Sequence, residues 1–392
     1  MRVLLNDGME EDGLRVFEEA GISADDLRLS PEALLDRISE YDGLVVRSAT
    51  KVTRDVIESG SRGKLKVVGR AGVGYDNIDV AAATEKGIIV MNAPNGNTNA
   101  AAELAVGLML AVSRKIPQAD AYLKAGEWRK RELEGTELSG KVLGIIGCGR
   151  IGRRVAEIAH GFDIDVLGYD LRPGGSAKIK YVSMDDLLRQ ADYVTIHTGG
   201  KRTIIGEREL LLMKPTAYLI NVSRGENVDC DALCAALKEG RLAGAAIDTH
   251  MNEPKKDGPG FASKLAEFGS RVVLTPHLGA STTEAQRETS KEIATCVAGY
   301  LLRNEYTNAV NVGESLEAEE SKFYRVFVHH ADVPGVFEKI SGTFATHNVN
   351  IREISSRKMG EHAITTYIVQ SEPDRDVLAE LRGLANVYRV TD

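Results

Sequence analysis

One stretch of sequence limits the possible folds more than any other: Val142-Leu143-Gly144-Ile145-Ile146-Gly147-Cys148-Gly149-Arg150-Ile151-Gly152. Its apolar run is typical of a buried strand and leads directly into the spacing GxGxxG, and residues 153–159 continue with helical periodicity. Asp170 closes the next apolar run, at the offset of ~20 residues where an acidic residue binds ribose hydroxyls. Strand, glycine turn, helix and acid together predict a Rossmann domain that binds a dinucleotide.

The glycines of this loop have distinct predicted roles. Gly147 permits the tight turn, Gly149 lets the backbone approach a pyrophosphate, and Gly152 lets the helix pack close to the strand. The N-terminus of the helix that follows then presents its free N–H groups to the phosphates, and Arg150 and Ile151 are predicted to contact the cofactor there. The carboxylate of Asp170 would repel a 2′-phosphate, so NAD is favoured over NADP, although Arg172 nearby keeps NADP open.

Outward from this loop, short apolar runs alternate with helical patterns in both directions, which predicts parallel sheets covered on both faces. The runs cover residues 3–5, 44–46, 65–68 and 88–90, and then 142–146, 165–169, 193–196, 218–222, 243–247 and 272–274. We therefore expect two doubly wound α/β domains, a flavodoxin-like one followed by the Rossmann domain. A helix at residues 283–302 would connect the second sheet back to the first domain.

The last part of the chain has a different organisation. Residues 313–321 are acidic and almost free of large apolar side chains, which indicates a linker. From residue 322 to 392 the strand and helix patterns follow the order βαββαβ, which is the ferredoxin-like arrangement.

Composition excludes several classes of protein. The 392 residues carry a net charge of −8, which argues against nucleic-acid binding. No signal peptide is apparent, and the longest apolar stretch, residues 100–112, is too short for a membrane span. The four cysteines form no CxxC pair, so no metal site is predicted and the thiols are expected to be reduced. These features predict a soluble cytoplasmic protein without a membrane partner.

Three polar residues late in the chain follow apolar runs, where strands would end: Arg224, Glu253 and His277. The carboxyl ends of the strands in a doubly wound sheet share one edge, and ligands bind there. His277 could take a proton, Glu253 could hold its imidazole in one tautomer, and Arg224 could grip a carboxylate in bidentate fashion. Asp248, at the end of its own strand, could receive the carboxamide of a nicotinamide.

Residues 221–225, 248–254 and 275–282, together with the glycine loop, resemble the D-isomer specific 2-hydroxyacid dehydrogenases, and the similarity extends over residues 1–312. The resemblance implies that Arg224 binds substrate, Glu253 tunes the histidine and His277 is the acid/base. It implies a discontinuous substrate domain, residues 1–95 and 280–312, around an NAD domain at residues 96–279. It also implies a homodimer built through the cofactor domains, with a homotetramer as the alternative, and it assigns further cofactor contacts to Thr98, His197, Ser223 and Gly279.

Within that family, residues 46–53 and 69–79 are most similar to the members that oxidise 3-phospho-D-glycerate to 3-phosphooxypyruvate, the first step of L-serine biosynthesis. Arg47 and Arg70 would then bind the phosphorylated substrate across a cleft, since the guanidinium fork suits phosphate. Backbone N–H groups at Val73 and Gly74 could bind the carboxylate. Lys130 lies where the family places a basic residue that reaches a neighbouring subunit's site.

Two features depart from the family pattern. The segment 198–203 is shorter than the family's proline-leucine-threonine segment, so its cofactor contacts are left open. His250 lies where the family usually has an aromatic residue.

The C-terminal module resembles an ACT domain, because residues 332–336 followed by residues 348–351 have the usual loop, helix and strand pattern. In dehydrogenases of this kind the module binds L-serine, and His330, Asp332 and Asn350 match the positions of the effector site. Asp332 stands where an asparagine is usual, so the effector stays open. A plain dimerisation module is the alternative.

Three functions remain open from the sequence. The first is NAD-dependent oxidation of 3-phospho-D-glycerate with regulation by L-serine. The second is another D-2-hydroxyacid dehydrogenase, of the glyoxylate or hydroxypyruvate reductase type. The third is an NAD-sensing binding protein similar to corepressors of this fold.

Overall fold

The structure is a computed structural model that describes residues 1–174, 176, 178–200, 202–254, 258–312 and 324–391. By their internal contacts the residues form two units, Met1–Gly96 with Arg287–Asp392, and Asn97–Gln286. The linker predicted at residues 313–321 lies outside the described residues. The domain limits expected from the sequence stay predictions about how the chain divides into functional parts.

The first unit begins with a five-stranded parallel sheet. Its strands are β1 (Arg2–Leu5), β2 (Ser23–Asp26), β3 (Gly43–Val46), β4 (Val67–Arg70) and β5 (Ile89–Asn92), in the order β2-β1-β3-β4-β5. The helices between them are α1 (Glu11–Glu19), α2 (Pro31–Arg37), α3 (Arg54–Ser61) and α4 (Val80–Glu85). The inner strands consist mostly of buried Val, Leu and Ile residues, as strands covered on both faces require.

The second unit contains a seven-stranded parallel sheet. Its strands are β6 (Val142–Ile146), β7 (Asp165–Tyr169), β8 (Lys180–Tyr181), β9 (Tyr193–Ile196), β10 (Tyr218–Asn221), β11 (Gly244–Ile247) and β12 (Val272–Leu274). Its helices are α5 (Thr98–Ser113), α6 (Ile116–Lys124), α7 (Arg150–Ala159), α8 (Met184–Gln190), α9 (Glu207–Leu212) and α10 (Cys230–Lys238). The strand order is β12-β11-β10-β9-β6-β7-β8, so the direction of winding reverses between β9 and β6, where such sheets bind ligands.

A long helix, α11 (Thr283–Arg303), follows the second sheet. From Arg287 onward it belongs to the first unit, where Ile293, Ala294 and Val297 are buried against the first sheet. The predicted connecting helix is therefore present. In the described ranges, no helix combines the length and the apolar character that crossing a bilayer requires.

The C-terminal module is a four-stranded antiparallel sheet with two helices. Its elements are β13 (Tyr324–Ala331), α12 (Val336–Thr346), β14 (Ile351–Met359), β15 (His362–Val369), α13 (Arg375–Gly383) and β16 (Val387–Thr391). The strand order β14-β15-β13-β16 gives the ferredoxin-like fold. The predicted fold class, two parallel α/β sheets and a βαββαβ module, is confirmed.

The two faces of this small sheet pack against different partners. Val326, Val328 and Tyr367 lie in the core that α12 and α13 cover. On the other face, Phe327 and Ile364 join the core of the first sheet. The Tyr306 hydroxyl also donates a hydrogen bond to the Thr391 hydroxyl at 2.8 Å, and the Arg389 guanidinium donates to the Gly87 carbonyl. The module is thus fastened to the body of the first unit by apolar and polar contacts.

A histidine is buried in this contact without a hydrogen-bond partner for its ring. His329 is 4% exposed, and neither of its ring nitrogens has a hydrogen-bond partner among the described residues. Together with Arg389 and Thr391 it lines a cavity of about 20 Å³, enough for one water molecule. The pKa of His329 is lowered to about 4, mainly by burial; His362, His330 and Arg389 act in the same direction, whereas Glu85 opposes them.

We expect this histidine to make the protein sensitive to mild acid. In the unfolded chain the ring titrates near pH ~6.5, so between that pH and about 4 the unfolded chain binds a proton that the folded chain does not. The free energy of unfolding is therefore unaffected by this group above about pH 6.5, and protonation of the unfolded chain lowers it toward pH 4 by up to about 3 kcal/mol. Urea unfolding at several pH values measures this. His329→Phe should lose less stability on acidification than the unmodified chain, and an equal loss would contradict the assignment.

Candidate active site

The glycine loop joins β6 to α7. Gly147 has φ of 91°, and a Cβ on it would lie 2.7 Å from the carbonyl oxygen of His197. A Cβ on Gly152 would lie 2.1 Å from the carbonyl oxygen of Gly147. Neither position can accept a side chain without moving backbone atoms, so both glycines are required by the turn and by the approach of the helix to the strand.

The same loop fits the pyrophosphate of a dinucleotide. A Cβ on Gly149 would meet no atom within 4 Å, so the backbone at this position faces open space. Gly149 is the N-cap of α7, and no side chain caps the helix there. The first N–H groups of the helix, at Arg150 and Ile151, are therefore available to an anion beside the positive end of the helix dipole.

Asp170 follows β7 and is tied to the loop. Its Oδ2 accepts the N–H of Cys148 at 2.7 Å, and its Oδ1 accepts the N–H of Arg172 at 2.8 Å. Each oxygen keeps a lone pair for a ribose hydroxyl. The negative charge would oppose a phosphate at the same position.

The remaining predicted cofactor residues lie at a helix start and in loops that follow strands of the second unit. Thr98 begins α5, and Ser223 follows β10 with its hydroxyl donating to the Thr198 carbonyl. His197 follows β9, and burial lowers the pKa of its ring to about 3. This ring is therefore neutral at neutral pH and is a weak base. Gly279 donates its N–H to Asp248 at 3.2 Å.

Arg224, Glu253 and His277 follow three strands that are adjacent in the sheet, β10, β11 and β12. Their segments start from one edge because all three strands are parallel. The Arg224 guanidinium donates to the carbonyl of Ser223 at 2.8 Å. The structure thus places the three predicted residues on neighbouring loops.

His277 and Glu253 are in direct contact. Nδ1 of His277 lies 2.9 Å from Oε2 of Glu253, and the side chains are 48% and 38% exposed. Since a carboxylate only accepts, the proton of this hydrogen bond is on Nδ1, and in the neutral ring Nε2 keeps its lone pair. Partial burial raises the pKa of Glu253, but the hydrogen bonds from His277 and the His250 backbone outweigh it and lower the pKa overall. The pair is suited to take up a proton at Nε2.

Asp248 holds the segment that carries His277. It is fully buried, and its Oδ1 accepts the Thr275 hydroxyl at 2.6 Å and the N–H of Leu278 at 2.8 Å. The N–H of His277 donates to the Asp248 carbonyl at 2.8 Å. Asp248 was predicted as a cofactor contact, whereas Thr275 was not among the predicted site residues. Its position directly before Pro276 and His277 is the sequence feature that could have indicated its role in holding this segment.

The predicted substrate residues Arg47 and Arg70 lie at the carboxyl ends of the adjacent strands β3 and β4, where Val46 pairs with Arg70. The backbone of Arg47 is fixed by Asp7 Oδ2 at 2.7 Å and by the Asn77 amide at 2.8 Å. Within the described ranges its guanidinium has no hydrogen-bond or ion-pair partner. The Arg70 guanidinium donates to the Ala71 carbonyl at 2.8 Å.

The other predicted substrate residues are in loops. Val73 and Gly74 follow β4, and the Asn92 amide donates to the Val73 carbonyl at 2.7 Å. Lys130 is exposed and begins a short 3₁₀ helix, Lys130–Leu133.

All three predicted effector residues have partners inside the C-terminal module. His330 is fully buried, with Nδ1 2.7 Å from the Ala331 carbonyl and Nε2 2.8 Å from the Thr365 hydroxyl. Asp332 forms an ion pair with Lys358 at 2.5 Å, and the Asn350 amide donates to Gln370 at 3.0 Å. A ligand at this position would have to replace some of these contacts.

Two parts of the chain match known protein families. Residues 106–279 match the NAD binding domain of the D-isomer specific 2-hydroxyacid dehydrogenases, and residues 324–386 match the ACT domain. A D-3-phosphoglycerate dehydrogenase from Methanocaldococcus jannaschii is 45% identical over 320 residues, which are 80% of this chain and 60% of that protein. The chain therefore spans about three fifths of that relative's length.

Solved structures show the same fold. The TT0316 protein from Thermus thermophilus has a TM-score of 0.71 and 31% identity, covering 79% of this chain and 100% of that chain. A glyoxylate reductase from Paecilomyes thermophila has a TM-score of 0.71 and 28% identity, covering 79% of this chain and 98% of that chain. With the matched NAD binding and ACT domains, these similarities show that the chain belongs to the family of D-isomer specific 2-hydroxyacid dehydrogenases.

Proposed function

We propose that this protein is an NAD-dependent dehydrogenase that oxidises 3-phospho-D-glycerate to 3-phosphooxypyruvate, the first step of L-serine biosynthesis. The hydrogen bond between His277 and Glu253, at the carboxyl edge of the sheet that carries the glycine loop, is the observation that carries the chemistry. The choice of substrate is supported by the 45% identity to a D-3-phosphoglycerate dehydrogenase.

In the proposed reaction His277 Nε2 takes the proton of the substrate hydroxyl. Glu253 accepts the Nδ1–H throughout and stabilises the imidazolium that forms. Arg224 binds the substrate carboxylate, for which its planar fork is suited. The nicotinamide, when bound, supplies the hydride acceptor, and the glycine loop, Asp170 and Asp248 would hold that cofactor.

For the substrate phosphate we propose Arg47 and Arg70 as ligands, with the N–H groups of Val73 and Gly74 binding the carboxylate. Arg47 supports this role because its backbone is fixed while its guanidinium is free of partners in the described residues. Lys130 is exposed, and we propose that it reaches the site of a neighbouring subunit.

Replacing Arg47 by alanine is expected to raise KM for 3-phospho-D-glycerate roughly 10- to 150-fold, the equivalent of a hydrogen bond to a charged group of about 1.5–3 kcal/mol. Turnover of unphosphorylated D-glycerate should change little. Steady-state kinetics with both substrates measures the difference. Arg54→Ala is the matched control, because Arg54 lies in the same domain and is paired with Glu85 at 2.6 Å. An unchanged KM would remove Arg47 from the phosphate site.

For the cofactor we propose a preference for NAD over NADP, set by the charge of Asp170. Asp170→Asn keeps the shape of the side chain and removes the charge, so kcat/KM for NAD should fall about 10-fold or more. The ratio of NADP to NAD activity should rise at the same time, because the repulsion of a 2′-phosphate is lost. Asp163→Asn, an exposed change in the same sheet domain, is the control. A constant ratio would show that Asp170 does not select the cofactor.

We propose that the ACT domain makes the enzyme responsive to L-serine through His330, Asp332 and Asn350, and that the chain forms a homodimer or homotetramer. Exposed Trp128, Leu123 and Ile116 on and after α6, at 82%, 60% and 52% exposure, support a subunit contact in the cofactor domain. The four free cysteines fit a reducing compartment, for which we propose the cytoplasm.

One experiment tests the proposed substrate and effector together: NADH formation is measured with 3-phospho-D-glycerate, D-lactate, D-glycerate and 2-hydroxyglutarate, each with and without L-serine. A preference for an unphosphorylated acid would favour the second candidate, a glyoxylate- or hydroxypyruvate-reducing enzyme, to which the similarity to a glyoxylate reductase points. No turnover with any acid would favour an NAD-sensing binding protein.

A further inference from the structure

His250 lies two residues beyond Asp248 on the loop that follows β11, and it contacts both Glu253 and the segment that carries His277. Its backbone N–H donates to Glu253 Oε1 at 3.0 Å. Its ring Nε2 lies 3.0 Å from the carbonyl oxygen of Thr275, two residues before His277. One residue therefore joins the loop that carries Glu253 to the loop that carries His277.

The direction of the ring hydrogen bond follows from its partner. A carbonyl oxygen only accepts, so Nε2 of His250 carries a proton and donates it. The edge of the ring also packs on Phe261, with centroids 4.9 Å apart and planes at 63°. The ring is thereby oriented by an aromatic contact and a hydrogen bond at the same time.

The His277 segment needs such support. His277 has φ of 57°, in the left-handed region that a non-glycine residue adopts only at an energetic cost. A conformation of this kind persists where its surroundings constrain it from several sides. Here Asp248 holds the segment from one side, through Thr275, His277 and Leu278. His250 holds the same segment through the carbonyl of Thr275.

We propose that His250 is a positioning residue, whose ring N–H fixes the loop of His277 so that Nδ1 stays on Glu253 and Nε2 stays available to the substrate. This inference rests on the proposed function, and it goes beyond it because His250 touches neither of the reacting groups with its ring.

Three variants separate the hydrogen bond from the packing. His250→Phe keeps an aromatic ring against Phe261 and removes the donor, and His250→Gln replaces the ring by an amide N–H of similar reach. We expect kcat to fall roughly 5- to 10-fold in His250→Phe, with KM for NAD unchanged, and to recover in His250→Gln. His160→Phe is the matched control, because His160 in the same domain also lies 2.9 Å from a backbone carbonyl, that of Lys178.

A second measurement does not depend on activity. Long-range proton–nitrogen NMR of the His277 ring reports which nitrogen carries the proton. The Nδ1–H form should dominate in the unmodified protein and in His250→Gln, and should be mixed with the Nε2–H form in His250→Phe. If His250→Phe keeps both full kcat and the Nδ1–H form, the positioning role is wrong. If the unmodified protein oxidises no hydroxy acid, the proposed function fails, whereas the NMR comparison still decides the role of His250.

Discussion

Replacing His277 by alanine is expected to lower kcat roughly 10²- to 10⁴-fold, the range that a positioned general base contributes. The physical reason is that the hydroxyl proton then has no acceptor as hydride leaves the carbon. Binding of NAD should be preserved, because the glycine loop and Asp170 lie on β6 and β7, away from β12 in the strand order. Single-turnover kinetics and titration of NAD binding measure the two quantities separately.

The chain offers a matched control for this variant. His347 and Glu380 form a second histidine–carboxylate pair, with Nε2 2.8 Å from Oε2, in the C-terminal module. His347→Ala removes the same kind of side chain from the same kind of pair, so it should leave kcat within about 2-fold, since surface ion pairs contribute little. Retention of activity in His277→Ala would mean that another group takes the proton.

Glu253→Gln is expected to have the second large effect, a fall in kcat of roughly 10²- to 10⁴-fold. Glu253 uses both of its oxygens: Oε1 accepts the N–H of His250 and Oε2 accepts Nδ1–H of His277. A glutamine has one oxygen and an NH₂ group, so it can satisfy only one of these donors in the same geometry. Either the loop loses its hydrogen bond or the His277 ring adopts the other tautomer, in which Nε2 carries a proton and cannot act as a base.

The measurements for Glu253→Gln are the pH profile of kcat/KM and the tautomer of the His277 ring. Glu380→Gln, in the pair with His347, is the corresponding control. A variant that kept full kcat with the Nδ1–H form would show that the carboxylate charge and its second oxygen are dispensable.

Most of the parallel-strand architecture could be predicted from apolar runs, because strands covered on both faces need continuous Val, Ile and Leu. Several elements were not predicted individually, among them β2, β8 and α3. Strand β2 has the sequence Ser-Ala-Asp-Asp. It lies at a sheet edge and its side chains are exposed or only partly buried, so it has no apolar run. Strand β8 has two residues, and helix α3 buries only Val56, Ile57 and Gly60. Each is held by its neighbours and has too weak a local pattern to be recognised.

Some residues of the candidate site could likewise be predicted from the sequence, and others could not. Gly147, Gly149, Gly152 and Asp170 were found from spacing, because a dinucleotide loop is built within about 20 residues of chain. Arg224, Glu253 and His277 were found as strand-end residues, and their catalytic roles stay predictions. The ring contact of His250 with Thr275 could not be predicted, since it joins residues 25 positions apart in sequence on two different loops.

Local patterns along the chain were thus sufficient to predict the parallel and ferredoxin-like sheets, the cofactor loop and the candidate site residues. These features are encoded in periodicity and spacing within short stretches of sequence. The contact of His277 with Glu253, the support from His250 and the burial of His329 against the first sheet came from packing. They depend on which loops and faces meet when strands distant in sequence become neighbours, and hydrogen bonds and desolvation are set by those distances of a few ångströms.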